Sequence, residues 1–205
     1  MREGKQKRII LASGSASRRS LLAGAGLTFD VVPSTVDEPA VRRAMEQDGR
    51  AIAPAEVAMA LAEAKALDVS AAHGDGLVIG GDQVLALGDR LFEKPGDLVA
   101  ARRQLQDLKG RQHALVSAVV IAEGGQILWG HADTANMTVR AFSEDFLNWY
   151  VETAGPVVCQ SVGAYQLEGI GAQLFERVEG DYFTVLGLPL MPLLGELRRR
   201  GVLCQ

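Results

Sequence analysis

The sequence predicts an α/β fold: a mixed, twisted sheet with helices on both faces. Three observations carry this. A short apolar segment, Arg8–Ala12, leads through a small polar loop into a helical pattern and then into a β-branched segment. Helical and strand patterns keep alternating along the chain, which is how α/β units are built. Glycines and prolines punctuate nearly every change of pattern. With 205 residues, the chain is long enough for one large domain or two small lobes, and it can bury a core without disulfides or a metal staple.

The elements follow in order. Arg8–Ala12 reads as a buried strand, Ser13–Ser17 as a loop, and Arg18–Ala25 as a helix carrying Leu21 and Leu22 and stopped by Gly26. Phe29–Val32 is a second strand, ended by Pro33. Asp37 and Glu38 open a polar stretch that runs to Arg50 without an assigned element. Pro54 suits a first helical position, and a long helix extends from it to about Ala72, with Val57, Leu61 and Ala64 on one face. Leu77–Gly80 is a strand, interrupted at Gly81-Asp82-Gln83 and resumed over Val84–Leu87, with a turn at Gly88-Asp89. Asp97 caps a helix that presents Leu98, Ala101, Leu105 and Leu108 and ends before Gly110. Ala114–Ala122 and Gln126–Trp129 flank Gly124-Gly125 as a hairpin. Asp133–Ala141 alternates as a further strand. Ser143, with Glu144 and Asp145, starts a helix ending near Gly155-Pro156. The segment 159–187 is glycine-rich with short apolar runs, and Pro189–Arg200 closes as a helix with three arginines at its negative end. With no repeat and no long linker, residues 1–205 are expected to form one domain, pinched into two lobes.

Composition removes several function classes. Lys plus Arg number 21 against 25 Asp plus Glu, a net charge of -4, which is a poor basis for wrapping a nucleic-acid polymer. Aromatic residues are only 5%, too few for a base-stacking platform. The two cysteines, Cys159 and Cys204, lie far apart without a CxxC and suit a reducing cytoplasm. His73, His113 and His131 are scattered, with no HExxH and no cysteine partner at zinc spacing. The charged start, Met1–Arg8, precedes an apolar run of only Ile9–Ala12, short for a signal peptide, and no run reaches membrane-spanning length.

Seven segments carry candidate chemistry. Ser13-Gly14-Ser15-Ala16-Ser17-Arg18-Arg19 lies between a strand and a helix start, where backbone N–H groups and the helix dipole favour an anion. Ser13 and Ser15 can donate to phosphate oxygens, and Arg18 or Arg19 can bind phosphate with a guanidinium fork. The bland alternative is a serine-rich turn beside surface arginines. Gly80-Gly81-Asp82-Gln83 places a carboxylate at a strand end, where α/β proteins put catalytic groups. Asp82 can hold Mg²⁺ or take a proton from water, or be a solvated bulge residue. Asp37-Glu38, joined by Asp82, would make a hard-oxygen metal site; alone they are a turn. Lys94, just ahead of Pro95, and Lys65, on the long helix, are phosphate ligands or ordinary surface and snorkelling lysines. Glu168, framed by glycines in Gly163–Gly171, can accept from amino and ring N–H groups of a base. Leu186–Leu190 reads as a helix entry. Together these are the parts a phosphoanhydride hydrolase needs: an anion loop, cations, and carboxylates for a metal and a water.

At these residues the chain resembles the Maf family of nucleotide pyrophosphatases. The likeness runs from Ile9 to about Arg200 through ordered blocks: Leu11–Ser15 with Arg18-Arg19 and Leu21-Leu22, Val36–Glu38, Leu61-Ala62 with Lys65-Ala66, Gly81–Val84, Glu93–Pro95, Gly163–Tyr165 with Glu168-Gly169 and Gly171, and Val185–Pro189. The resemblance implies a Maf/ITPase-like fold of two lobes around a cleft, often as a homodimer. It implies hydrolysis of a nucleoside triphosphate to monophosphate and pyrophosphate with Mg²⁺ or Mn²⁺, a house-cleaning role. Matched by position, Asp82 takes the proton-acceptor place. Ser13, Ser15, Arg18, Lys65 and Lys94 fall on substrate-binding positions, and Glu38 with Asp82 on metal positions. Selectivity positions correspond to Ser17, Gln83 and Glu168. Gln83 and Glu168 are similar to the branch of 7-methyl-GTP pyrophosphatases, whereas Ser17 matches neither that branch nor the dTTP/UTP branch. The alternatives are a dTTP/UTP-type pyrophosphatase and a non-catalytic nucleotide-binding regulator of division and septation.

Overall fold

The structure, a computed structural model, describes residues 7–46 and 51–204. The expectations for the charged start before residue 7 and for the end of the polar stretch, 47–50, lie outside the described residues.

In chain order the strands and α-helices are β1 (Ile9–Leu11), α1 (Ala16–Gly24), β2 (Asp30–Val31), α2 (Glu38–Glu46), α3 (Pro54–Ala72), β3 (Leu77–Leu87), β4 (Arg90–Phe92), α4 (Leu98–Leu108), β5 (Gln112–Glu123), β6 (Gln126–Val139), α5 (Glu144–Ala154), β7 (Phe175–Glu179), α6 (Tyr182–Val185) and α7 (Leu190–Arg199). Three short 3₁₀ turns lie between α5 and β7. The hydrogen-bonded strand order is β2-β1-β3-β5-β6-β7, with β4 on β3. β1 pairs in parallel with β2 and β3, while β3–β4 and β6–β7 are antiparallel, so the sheet is mixed as expected.

The chain divides into two compact units, the first from Met1–Gln83, Ser117–Asp133 and Gly187–Gln205, the second from Val84–Val116 and Thr134–Leu186. In the first, β1 lies between β2 and β3, so the chain crosses the sheet in opposite directions after α1 and after α3. Right-handed crossovers then put these helices on opposite faces. Two glycines of β3 record this. A Cβ on Gly80 would meet the Ala62 carbonyl oxygen and Ala66 of α3, whereas one on Gly81 would meet the Arg18 side chain of α1 at 3.2 Å. The strand period of two therefore turns Asp82 to the α3 face and Gln83 to the α1 face.

Four elements differ from the sequence reading, and β4, β7 and α6 form where it assigns no element. β3 runs unbroken through Gly81-Asp82-Gln83. Glycines weaken a strand and read as a break, yet here they let helix backbone and an arginine approach. β6 is one long strand from Gln126, not a hairpin arm and a separate strand. Its turn keeps the expected glycine chemistry, with φ of 58° and 75° at Gly124 and Gly125. The polar stretch after Asp37 is helix α2, capped by the Asp37 carboxylate, which accepts from the Ala40 N–H at 3.0 Å. On α3 the buried stripe is Val57, Ala58, Leu61, Ala62, Ala66, Val69 and Ser70; Ala64 is only half-buried. Among the described residues no helix is long and apolar enough to cross a membrane.

The contact between Gly80 and α3 makes a prediction. In a Gly80→Ala variant the new methyl would sit 2.8 Å from the Ala66 Cβ and 2.9 Å from its backbone nitrogen, so backbone must shift. Overpacking of this kind costs about 1–3 kcal/mol. Urea unfolding should show that loss as a lower midpoint at unchanged slope; an unchanged midpoint would mean α3 gives way freely.

Candidate active site

The site grows from the C-terminal end of β1 and the neighbouring middle of β3. These are adjacent parallel strands, with α1 following β1 on one face and α3 leading into β3 on the other, the kind of switch point where open α/β sheets bind ligands. Ile79 pairs with Leu11 in the ladder, and the Ala12 N–H donates to the Ile79 carbonyl at 2.8 Å. The Ser13–Ser15 loop and Asp82 therefore emerge from the same edge.

The loop is braced from within. Ser15 caps α1, its side chain accepting from the Arg18 N–H at 3.4 Å. Ser13 Oγ accepts from the Ser15 N–H at 3.3 Å and from Arg18 Nη1 at 3.1 Å. Both serines act as acceptors in these bonds, which leaves each hydroxyl its proton to donate. Arg18 Nε donates to the Gly187 carbonyl at 2.8 Å, tying the loop to the segment before α7. Gly187 has φ of 94°, and a Cβ there would lie 3.7 Å from both Arg18 and Gln83. Burial pushes the Arg18 guanidinium below its ordinary value while the Asp82 and Glu38 carboxylates push it back up, and a guanidinium keeps its charge at neutral pH throughout.

On the other face of β3, Lys65 of α3 joins two carboxylates. Its Nζ is 2.6 Å from Asp82 Oδ1 and 2.7 Å from Glu38 Oε1. Glu38 is the first residue of α2, so the cap at Asp37 aims this carboxylate at α3. Asp82 is almost completely enclosed, its side chain 7% exposed, and its Oδ2 is buried without a hydrogen-bond partner among the described residues. Burial raises the Asp82 pKa above the ordinary carboxylate value, against the lowering pull of Lys65 and Arg18. A carboxylate so placed is more basic than one in water, and its second oxygen has no partner among the described residues.

Sequence reasoning named Ser13, Ser15, Arg18, Glu38, Lys65 and Asp82, and the fold brings all six together in the first unit. Gln83 is there too, its Nε2 donating to Ser117 Oγ at 3.0 Å. Ser17 lies on α1, half-buried. Lys94 and Glu168 belong to the second unit. Lys94 is exposed between β4 and α4, and Glu168 is exposed in the turn at 167–169. Two partners were missed: the Gly187 carbonyl, in a segment read only as a helix entry, and Gln104. The Gln104 amide donates to the Glu93 carbonyl at 2.8 Å and accepts from the Gly163 N–H at 3.2 Å. It thereby links the Lys94 segment to the glycine segment that leads to Glu168. No local pattern marks either, because each is a contact between distant parts of the chain.

Among the described residues no group of three or more His, Cys, Asp or Glu is placed to hold a metal. The Glu38 carboxylate and Asp82, whose Oδ2 has no hydrogen-bond partner among the described residues, suit a hard cation that completes its shell with water and substrate phosphate, as Mg²⁺ does.

Comparison with known proteins agrees in one direction. The family model described as Maf-like protein matches residues 8–200. The 7-methyl-GTP pyrophosphatase of Rhizobium meliloti (strain 1021) is 50% identical over 195 residues, covering 95% of this chain and 97% of that protein. The nucleoside triphosphate pyrophosphatase of Hyphomonas neptunium (strain ATCC 15444) is 52% identical over 195 residues, with 95% and 97% covered. With this match over nearly its whole length, around the loop and carboxylates just described, the chain belongs to the Maf-like protein family.

Proposed function

We propose that this protein hydrolyses a nucleoside triphosphate to the monophosphate and pyrophosphate, with a 7-methylated guanine nucleotide as its preferred substrate. The observation that carries the reading is Asp82, a buried carboxylate with one oxygen on Lys65 and the other unbonded, beside an anion loop at the sheet's switch point. The triphosphate lies against the Ser13–Arg18 loop, its charge met by Arg18 and Lys65, and Lys94 keeps the phosphate-binding role that its position in the Maf resemblance implies. Asp82 accepts a proton from water as the water oxygen bonds to the α-phosphorus. The α–β bridging bond breaks, and pyrophosphate leaves with the bridging oxygen. The raised basicity of Asp82 narrows the gap between carboxylate and water.

Arg18, Lys65, Glu38 and Asp82 together are formally neutral, so they do not by themselves balance a polyanion. Glu38 and Asp82 would hold a Mg²⁺ or Mn²⁺, which supplies the missing positive charge and polarises phosphate oxygens. Base selection is assigned to Gln83, Glu168 and Ser17. A Glu168 carboxylate accepts from the N1–H and exocyclic amine of guanine and repels the carbonyl-rich edge of uracil or thymine. Two of the similar proteins bear names that point the same way: the 7-methyl-GTP pyrophosphatases of Rhizobium meliloti (strain 1021) and Brucella abortus biovar 1 (strain 9-941), each 50% identical. A homodimer in the cytoplasm belongs to the same reading.

The test is pyrophosphate release over 7-methyl-GTP, GTP, UTP and dTTP with Mg²⁺ or Mn²⁺. The expected result is release from all guanine forms, fastest from 7-methyl-GTP. Preference for UTP and dTTP would reassign the base, and tight binding without release from any nucleotide would favour the regulator.

A further inference from the structure

The turn that carries Glu168 is anchored by polar side chains inside the core of the second unit. Gly163 and Ala164, just ahead of it, both have positive φ, 77° and 60°, and Ala164 is the one non-glycine in that region among the described residues. For an L-residue this costs about 1–2 kcal/mol, so something must hold it. The Ala164 carbonyl accepts from the Tyr150 hydroxyl of α5 at 3.1 Å, and the Gly163 N–H donates to Gln104 of α4 at 3.2 Å. Tyr165 is buried, its ring edge-on to Phe175 at 4.8 Å and its hydroxyl 2.6 Å from Nε2 of His113 on β5. Beyond it, the Gly169 N–H returns to the Gln166 carbonyl at 3.3 Å, and a Cβ on Gly171 would strike that same carbonyl.

His113 and Tyr165 are an expensive choice for a core. The His113 Nδ1 is buried without a partner among the described residues. Burial also drives the His113 pKa down to about 4 and lifts that of Tyr165, so the pair is neutral at physiological pH. A leucine facing a phenylalanine would fill such a space without an orphaned nitrogen, and a buried polar pair of this kind earns its place by fixing one arrangement among several. The arrangement fixed here is the register of the backbone three residues before Glu168.

We propose that His113 and Tyr165 are positioning residues for nucleobase selection: their hydrogen bond locks the 163–169 segment so that the Glu168 carboxylate meets the base edge. The proposal rests on the reading of Glu168 as the base acceptor, and the experiment separates the two. Steady-state kcat and KM are measured with 7-methyl-GTP and UTP for Glu168→Gln, Tyr165→Phe, His113→Leu, His113→Gln and the double variant Tyr165→Phe/Glu168→Gln, with a thermal melt of each. Glu168→Gln alone tests the underlying reading, through loss of preference for 7-methyl-GTP. Tyr165→Phe and His113→Leu should raise KM for 7-methyl-GTP by about tenfold, the effect of a displacement worth one hydrogen bond, while kcat and the UTP constants stay within about twofold. His113→Gln, whose amide can offer the Tyr165 hydroxyl either a donor or an acceptor in place of Nε2, should recover most of the loss. In the Glu168→Gln background Tyr165→Phe should add nothing further. Equal losses on both substrates, or full additivity with Glu168→Gln, would overturn the positioning role while leaving Glu168 in place. No change of preference in Glu168→Gln would remove both.

Discussion

An Asp82→Asn variant is expected to lose turnover by about a thousandfold, within the range that a positioned general base contributes, while still binding nucleotide. The amide keeps the shape and can still accept from Lys65 through its carbonyl oxygen, but it cannot take a proton from water. Stability should not fall with activity. Burial raises the Asp82 pKa despite Lys65 and Arg18, so on balance the folded protein favours the uncharged form. A carboxyl whose pKa is raised by folding stabilises the fold below its unfolded pKa, and that contribution is lost as pH rises through the folded value. At neutral pH the ionised carboxylate is thus a net cost, which a neutral amide removes. Lys65 retains Glu38 at 2.7 Å as its counter-ion. Pyrophosphate release, nucleotide titration and a melting curve on one preparation check all three statements. Normal turnover would take Asp82 out of the chemistry, and a marked drop in melting temperature would show that it is a structural ion-pair partner instead. Such a gain in stability on removing a catalytic group is the usual trade at an active site.

How much of this could be read from the sequence depends on the range of the interaction. Helix α4, with its Asp97 cap and apolar spacing, and α3, with Pro54 at its start, were visible because capping and periodicity are local. Asp82 was visible as a residue but not as part of a strand. The glycines before it argued for a break, and only the packing of Ala62 and Ala66 on one side and Arg18 on the other explains why β3 needs them. Lys65 was ambiguous between a snorkelling lysine and a ligand. Its two carboxylate partners lie 27 residues before it and 17 after it, and a single-helix pattern contains neither. Arg18 was read as a phosphate fork. The fold gives two of its N–H groups to Gly187 and Ser13, so it also holds the loop in shape. The His113–Tyr165 bond was beyond reach for the same reason: three scattered histidines say nothing of which one a strand will turn inward.

Lys65→Met gives the second large effect, and its pH dependence has two opposite signs. The methionine fills the lysine stem's space, but Asp82 loses its nearest cation while remaining enclosed. Removing one partner of a buried pair costs about 3–5 kcal/mol when the remaining charge stays ionised. Asp82 can escape part of that cost by taking up a proton, since losing Lys65 removes the largest influence holding its pKa down. Its pKa in the variant therefore rises further above the ordinary carboxylate value. Two consequences follow from that one change. A base must be ionised to act, so the acid limb of the kcat/KM profile should move to higher pH than in the wild-type protein, and activity should recover in part as pH rises. Stability should run the other way: the variant comes nearest to the wild type at acid pH, where Asp82 is neutral, and falls away as pH rises through the raised pKa. The pH profile of pyrophosphate release and the melting temperature over the same pH range test this together. An acid limb that stays where it is in the wild type, with a uniform loss of rate at every pH, would mean that Lys65 serves the phosphate alone and does not set the basicity of Asp82.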